Sequence, residues 1–292
     1  MDFEVSEKDV NVPNMAFKIG EGSLGGQLRI DEYLKQQRYF CNLEFKNVLL
    51  AKSLPEFGPQ VNFHGQLNGL LKLNGQGFKP DKFLAGLSGE SQLDIQQGVI
   101  ENFNILKFIL SKISMFPQLV DVLDNNLPEE YKTEVNQNRT VFDKIDVKTT
   151  VKEGNVLVER GEFMSPAFSL NTQGRIDRDQ SLNLTAVLKV AKDLAAQMTA
   201  AAGELKALEE EDGQLGIPVK VNGSVSHLQI LPDPEALAKK MIMGKGKGNL
   251  EGLLNKVLGN KETPDQLPNE QNPSGGESPG KTINNVLDSI FK

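Results

Sequence analysis

A regular alternation of apolar and polar residues, broken by turn residues, is the feature that most constrains this chain. Residues 145–151 (IDVKTTV) alternate in this way, and residues 168–172 and 182–186 repeat the pattern. A period of two predicts strands that turn one face to a core and the other to water. Turn signals at residues 153–155 and 177–180 separate these segments. The sequence therefore predicts an antiparallel meander with one face on an apolar core.

Strand signals also dominate the chain before residue 100. Glycine-punctuated segments with strand character are residues 15–19, 28–30, 38–45, 66–74 and 91–96. Glycines at such breaks predict turns or bulges, because glycine adopts positive φ without steric cost. The stretch Gln96-Gln97-Gly98-Val99 is predicted to be a tight turn between two strands.

Other segments change to a helical period. Apolar residues recur every three or four positions over residues 103–116, which predicts an amphipathic helix that ends before Pro117. A weaker helical stretch covers residues 117–135. The Ala-rich residues 191–211 predict a further helix. Its apolar stripe consists of Leu194, Met198, Ala202, Leu205 and Leu208.

Together these elements predict a mainly β protein of the α+β class, with a curved antiparallel sheet and amphipathic helices packed on or beside it. The hydrophobic share of 38% is lean, which suits an elongated β architecture. The predicted organisation is an N-terminal β segment of the same sheet (1–60), a main β module (61–235), short amphipathic helices (236–259), a disordered linker (260–281) and a terminal amphipathic helix (282–292).

The charge balance and the chain's first residues bound its partners and location. The formal net charge is -7 at pH 7, and no long basic run offsets it. A nucleic-acid partner is therefore not expected, since binding the phosphate backbone requires a basic surface. The sequence shows no signal-peptide pattern and no apolar run near the roughly 18–20 residues of a transmembrane helix. These residues predict either a cytosolic protein or a piece whose targeting segment lies upstream.

Residues that commonly carry catalysis or bind metals are sparse. His64 and His227 are the only histidines, and neither has a second ligand at metal-binding spacing. Cys41 is the only cysteine, and its strand-like surroundings predict a buried small apolar residue. No nucleotide-binding, hydrolase or metalloprotease motif occurs in the sequence. We therefore expect no enzyme activity, no metal site and no cofactor.

Three segments in order carry a family resemblance, and residues 11–30 form a weaker unit of the same kind. The first segment, residues 65–109, contributes Gly75, Gly77, Leu87, Gly89, Leu93, Ile95, Gly98, Ile100, Asn104 and Ile105. The second, residues 142–188, contributes Phe142, Ile145, Gly154, Ser165, Pro166, Gly174, Ile176 and Asp177. The third, residues 217–233, contributes Ile217, Pro218, Val219, Gly223, Ile230, Pro232 and Asp233. This series resembles the C-terminal region of the AsmA family of bacterial cell-envelope proteins, although Leu228 stands where that family usually has proline.

The resemblance implies a location and a role. It implies a protein on the periplasmic side of the inner membrane, held by an upstream anchor that is absent from this chain. It also implies outer-membrane biogenesis or intermembrane phospholipid transport, in which acyl chains lie along an apolar β-groove. The residues expected to face lipid are Leu71, Leu73, Leu93, Ile95, Ile145, Val147, Phe168, Leu170, Leu182 and Leu184.

A second hypothesis fits the same pattern. The helices over residues 103–116 and 191–211 could cover the apolar face, leaving a sealed core and no lipid site. The chain would then be a structural module of the periplasm whose partners are envelope proteins. Alternation alone does not separate an open face from a sealed one, because both bury the same residues on one side of the sheet.

Overall fold

The computed structural model describes residues 2–53, 61–112, 127–224 and 227–243. Its contacts group residues 1–259 into one unit and residues 260–292 into another. The predicted linker and terminal helix both lie outside the described residues.

A single antiparallel sheet forms the body of the described chain. Its twelve strands lie side by side in the order in which they occur in the sequence. The strands are β1 (Asp2–Val5), β2 (Val10–Ile19), β3 (Gly22–Asp31), β4 (Arg38–Ser53), β5 (Asn62–Gln76), β6 (Ser88–Glu101), β7 (Thr140–Lys152), β8 (Asn155–Met164), β9 (Phe168–Ile176), β10 (Ser181–Val190), β11 (Leu215–Ser224) and β12 (His227–Pro232). The predicted β-rich, antiparallel fold class is confirmed, and β1 to β4 belong to the same sheet as the rest.

The predicted turns in the meander are present. Glu153 and Gly154, at the β7–β8 hairpin, have φ of 52° and 77°, the left-handed conformation that a tight hairpin turn requires. At the β9–β10 hairpin the Asp177 backbone N–H donates to the Ser181 carbonyl at 2.9 Å. Short turns of this kind join adjacent strands directly, so these hairpins pair antiparallel in sequence order.

The predicted turn at Gln96–Val99 is wrong, because β6 runs through it without reversing. Gln97 has φ of 49°, and the β5–β6 register shifts between the His64 and Gln66 pairs. This is a β-bulge, which uses the same residue types as a turn. A Cβ on Gly98 would overlap the ring of Phe142, which is only 1% exposed. Gly98 is therefore needed to make room for a core phenylalanine.

Five α-helices and a 3-10 helix accompany the sheet in the described residues. They are α1 (Pro80–Gly86), α2 (Ile105–Lys112), α3 (Glu129–Asn136), α4 (Lys192–Ala201), the 3-10 helix (Gly203–Leu208) and α5 (Pro234–Met243). The α2 helix lies within the predicted helix over 103–116, and α3 ends the weaker predicted stretch. Residues 113–126 and 244–259 of the predicted helical segments lie outside the described residues.

The helix predicted over residues 191–211 is interrupted. The chain leaves the α-helical conformation at Ala202, where φ is -134°, and continues from Gly203 as the 3-10 helix. Gly203 has a low α-helix propensity, which explains the break. The predicted apolar stripe is nonetheless buried, since all five of its side chains are at most 2% exposed. Helical spacing thus predicted which residues enter the core but not where the helix ends.

Most of the core lies at one end of the sheet. There, side chains of α2, α3, α4 and the 3-10 helix pack with those of β9 to β12 in one cluster. Representative members, each 1% exposed or less, are Leu110, Leu188, Leu194, Leu205 and Leu215. A smaller cluster of Val61, Ile100 and Phe142 adjoins it through Phe163 and Ile105. The described core is thus concentrated toward the C-terminal strands.

Two glycines show how tightly neighbouring strands approach. Gly89 and Gly174 have φ of 155° and 140°, a region that side chains rarely adopt. A Cβ on Gly89 would overlap the carbonyl oxygen of Lys72, and one on Gly174 would overlap that of Asn183. Glycine at these positions is therefore required by the backbone of a neighbouring strand, β5 for Gly89 and β10 for Gly174.

Gly174→Ala tests this requirement. We expect it to lower the free energy of unfolding by about 1–3 kcal/mol, because alanine is strained at this φ and its methyl group meets the β10 backbone. Urea unfolding followed by circular dichroism measures the change. Gly203→Ala is the control, since a Cβ there has no neighbour within 4 Å. Equal losses in the two variants would contradict the explanation.

Candidate functional site

The two faces of the sheet differ in chemistry. Residues that pair directly across strands share a face, so the register assigns each side chain to one side. We call one side the apolar face; it carries Val12, Leu28, Cys41, Leu43, Leu71, Leu73, Leu93, Ile95, Ile145, Val147, Phe163, Leu170, Leu184 and Val221. We call the other the polar face; it carries Arg29, Phe40, Asn42, Lys72, Asn74, Glu90, Asp94, Lys144, Asp146, Lys148, Arg160 and Asn171.

The residues predicted to face lipid all lie on the apolar face. Leu93 pairs with Val147, and Ile95 pairs with Ile145, on neighbouring strands. Leu71 and Leu73 join them on β5, since Leu71 is opposite Ser91, two residues before Leu93. The remaining predicted residues, Phe168, Leu170, Leu182 and Leu184, occupy the same side of β9 and β10.

An unbroken apolar row links these strands. Ile95, Ile145, Phe163 and Leu170 are direct cross-strand neighbours in sequence from β6 to β9. The row continues to Leu188, which is completely buried under the helices. This apolar row therefore runs without a polar residue from the middle of the sheet into the core.

Helix cover divides the apolar face into two parts. Phe168 is 4% exposed and belongs to the helix-covered core, and Leu182 is 8% exposed. By contrast, neither hydrophobic cluster includes Leu43, Leu71 or Leu93, and each of these side chains keeps partial contact with solvent. The described helices thus seal one end of the face and leave its middle half-buried.

A ring stack joins α1 to the sheet at β4 and β5. The Tyr39 ring stacks on Phe83 of α1 with centroids 5.0 Å apart, and its hydroxyl donates to the Phe83 carbonyl at 3.3 Å. Tyr39 also occupies the space where a Cβ of Gly75 would lie. Because Gly75 admits the ring, α1 is held against the sheet.

An apolar cavity of about 240 Å³ lies beneath α2. Its lining residues are Val61, Ile100, Phe103, Ile105, Phe108, Ile109, Leu170, Thr172, Ala186, Val219, Val221, Leu228 and Ile230. Thr172 is the only polar residue among them. The volume is below the roughly 300–1,000 Å³ of sites for drug-sized ligands, so the cavity suits a short segment of a linear apolar molecule.

The sequence predicted Leu170 as part of this region but missed the cavity. Its walls come from the ends of β5 and β6, from α2, and from β9 to β12. Val61 and Ile230 are far apart in the sequence, and only the folded sheet brings them together. The predicted helical stripe through Phe103 and Ile109, which both line the cavity, was the one local signal that pointed to it.

Ion pairs between strands organise the polar face. Asp146 is the centre of one group: the Arg160 guanidinium lies 2.7 Å and the Lys144 ammonium 3.0 Å from its carboxylate oxygens. Lys144 also lies 3.4 Å from Asp94, and Lys72 lies 2.8 Å from Glu90. Lys144 and Asp146 both lie on β7, whereas the other three pairs cross between strands and stabilise the sheet register.

Burial and these partners act in opposite directions on the Asp146 carboxyl. Desolvation raises its pKa, but hydrogen bonds and charges from Lys144 and Arg160 outweigh desolvation, so the pKa lies below its ordinary value. A lowered carboxyl pKa in the folded state means that the ionised group stabilises the fold. This stability is fully present above the unfolded-state pKa of about 3.9 and is lost as the pH falls through the folded-state pKa.

The histidines and the cysteine lie apart. His64 is on β5, inside the sheet, and His227 is on β12, the last strand in the order. Among the described residues, no group of three or more His, Cys, Asp or Glu residues is arranged to hold a metal ion. Cys41 is half-buried on the apolar face between Leu28 and Leu73, and burial raises the pKa of its thiol.

The fold and its faces define a class of protein, namely an open antiparallel sheet with one apolar and one polar side. The sequence profile of the AsmA family matches residues 2–159, more than half of the chain, so the chain belongs to the AsmA family. Family membership indicates a protein of the cell envelope. No curated protein and no solved structure matches the chain. Of the helices in the described ranges, none is long and apolar enough to cross a membrane.

Asp146→Asn tests the charge group on the polar face. We expect a loss of about 1–2 kcal/mol in the free energy of unfolding at pH 7, because two charged partners lose a buried carboxylate. The difference from the unmodified protein should shrink as the pH falls below about 4, the ordinary carboxyl value, and should disappear once the pH lies below the lowered pKa of folded Asp146. Glu44→Gln, in an exposed pair with Lys46, should cost less than about 0.5 kcal/mol. A difference that is independent of pH would contradict the assignment.

Proposed function

We propose that this chain is a non-catalytic module of the cell envelope that carries phospholipid acyl chains along its apolar face. The proposal adds to the family assignment a specific surface and a specific type of ligand. The observation that supports it most is the continuous apolar row from β6 to β9, which leads into an apolar cavity.

The physical argument is one of solvation. Each Å² of apolar surface left in water costs about 25 cal/mol, so an extended row of isoleucine, phenylalanine and leucine is stabilised by an apolar occupant. An acyl chain is such an occupant, because it is long, apolar and narrow enough to follow the row. It needs no hydrogen-bonding partner, and the cavity lining offers only the Thr172 hydroxyl besides apolar side chains.

The cavity can hold the end of the acyl chain. Leu170 belongs both to the apolar row and to the cavity wall, so the two are continuous. In this arrangement an acyl chain lies across β6 to β9 and its terminal methyl group enters beneath α2. The headgroup remains toward the half-buried middle of the face, where Leu71 and Leu93 lie.

The proposal also places the protein on the periplasmic side of the inner membrane, where a segment outside this chain would tether it. Its contribution would be to outer-membrane biogenesis through movement of phospholipid. Binding and positioning of acyl chains require no catalytic group, which agrees with the wide separation of His64 and His227.

A second candidate function draws on the helix cover. The cluster around Leu188, Leu194 and Leu205 is fully sealed, as a structural or protein-binding module requires. If further residues also covered Leu71 and Leu93, the chain would bind envelope proteins and no lipid. The experiments below separate the two functions by their effect on lipid recovery.

Native mass spectrometry with a matched pair of variants tests lipid binding. The unmodified chain, expressed in a Gram-negative host, is expected to retain phospholipid. Leu93→Asp should lose most of it, because it puts a carboxylate on the apolar face two residues from Ile95 of the apolar row. Gln92→Asp, the neighbouring exposed residue on the polar face, should retain it.

Circular dichroism shows whether both variants fold. A lipid-free mass for the unmodified chain under gentle conditions would contradict the proposal and favour the protein-binding module. Unfolding of Leu93→Asp alone would likewise favour that module, because a charge is tolerated at a partly solvated position and not in a sealed core.

The single cysteine allows a direct test of location. A photoreactive maleimide on Cys41 is expected to crosslink to acyl chains, because Cys41 lies on the apolar face beside Leu28 and Leu73. The control is Cys41→Ser combined with Asn42→Cys, which moves the probe to the polar face by one residue. Equal lipid crosslinking from the two positions would show that lipid contact is not confined to the apolar face.

A further inference from the structure

The polar face contains a trough that neither the family assignment nor lipid transport explains. It is a cavity of about 600 Å³, within the usual range for ligand sites. It extends from Asn11 on β2 to Thr150 on β7, across the strands. With strands about 4.8 Å apart, this distance is about 24 Å. We call it the amide trough, defined by Gln27, Phe40, Asn42, Lys72, Asn74 and Glu90.

An exposed aromatic ring lies in the amide trough. Phe40 is 40% exposed although it stands among polar neighbours, and it pairs with Arg29 on one side and Asn74 on the other. The Arg29 guanidinium carbon lies 4.4 Å from the ring centroid, and Asp31 holds Arg29 at 3.2 Å. Ring and guanidinium together form a flat, fixed surface, and flat surfaces of this kind stack well against planar or ring-shaped ligands.

Unused amide groups surround this surface. Within the described ranges the side chains of Gln27, Asn42 and Asn74 make no hydrogen bond to the protein, and all three are exposed. Each amide offers both donors and an acceptor. A hydroxyl group also donates and accepts, so a ligand rich in hydroxyl groups would satisfy these side chains fully.

The charges in the amide trough cancel. Lys72 is paired with Glu90 at 2.8 Å, and Arg29 is paired with Asp31. Hydrogen bonding and attraction from Lys72 hold the pKa of Glu90 below its ordinary value, so Glu90 stays ionised and keeps the pair intact. A trough with compensated charge does not favour a phosphate or a nucleic acid, which require uncompensated cations.

We propose that the amide trough binds a neutral oligosaccharide strand, with sugar rings stacked on Phe40 and hydroxyl groups bonded to Gln27, Asn42 and Asn74. Its length accommodates several sugar rings. The ligand is a free glycan and not the headgroup of a lipid carried on the apolar face, because the sheet separates the two faces. The site is therefore independent of the acyl-chain function.

Isothermal titration with chitotetraose, cellotetraose and maltotetraose tests this site. At least one of these tetrasaccharides is expected to bind the unmodified chain with a dissociation constant below about 1 mM. Phe40→Ala should weaken that binding at least about ten-fold, and Asn42→Ala or Asn74→Ala several-fold. Binding should change little with salt, because the charges in the trough are already paired.

Two controls keep the result specific. Leu49→Ala changes an exposed apolar residue on the same strand and face but outside the trough, and should leave binding unchanged. Leu93→Asp, on the apolar face, should also leave it unchanged, which separates this site from lipid binding. Circular dichroism checks that each variant folds.

Three outcomes overturn the proposal. The first is the absence of binding to all three tetrasaccharides by the unmodified chain. The second is binding that Phe40→Ala leaves intact. The third is binding only to vesicles that carry a glycolipid, with loss in Leu93→Asp, which would assign the sugar contact to the lipid-bearing face.

Discussion

Pairing of every strand with its neighbour in sequence is the constraint on which the rest of this structure depends. The register decides which side chains share a face, and a slip of one residue would move an entire strand's apolar set into water. Where the alternation of apolar and polar residues changes phase along a strand, a β-bulge keeps the apolar side chains on the same face. In β8 the register shifts between Val158 and Gly161, so that Val158 and Phe163 lie on the same face although their numbers differ by an odd count. The shift therefore keeps Val158 on the apolar face together with Phe163.

The alternating segments show how much of this the sequence could predict. Ile145 to Val151 and Leu182 to Ala186 carry a period of two, and their residues lie on the predicted face. The failures concern information that is not local. Gly98 resembles a turn glycine, and only the ring of Phe142 on the next strand explains it. The cavity beneath α2 joins residues from both ends of the chain, such as Val61 and Ile230, and no local pattern brings them together.

The distribution of helices explains why the two ends of the sheet differ. The helices that follow β6 and those that follow β10 both pack over β9 to β12. Their apolar side chains meet there in one core. With 38% hydrophobic residues, the chain has little apolar material with which to cover a face of twelve strands. The core is therefore dense where helices cover it, and the middle of the apolar face remains half-buried.

The strands β3, β4 and β5 carry different side chains on their two faces. Along β3, β4 and β5, residues of the two faces alternate on the same backbone: Leu28 precedes Arg29, Cys41 follows Phe40, and Leu73 lies between Lys72 and Asn74. The two proposed ligands would therefore contact opposite sides of one backbone, and neither would touch the other. A substitution that changes a side chain on one face leaves the side chains of the other face in place, because the register keeps the two sets apart. One layer of strands can in this way present an apolar surface and a polar surface that bind their ligands separately.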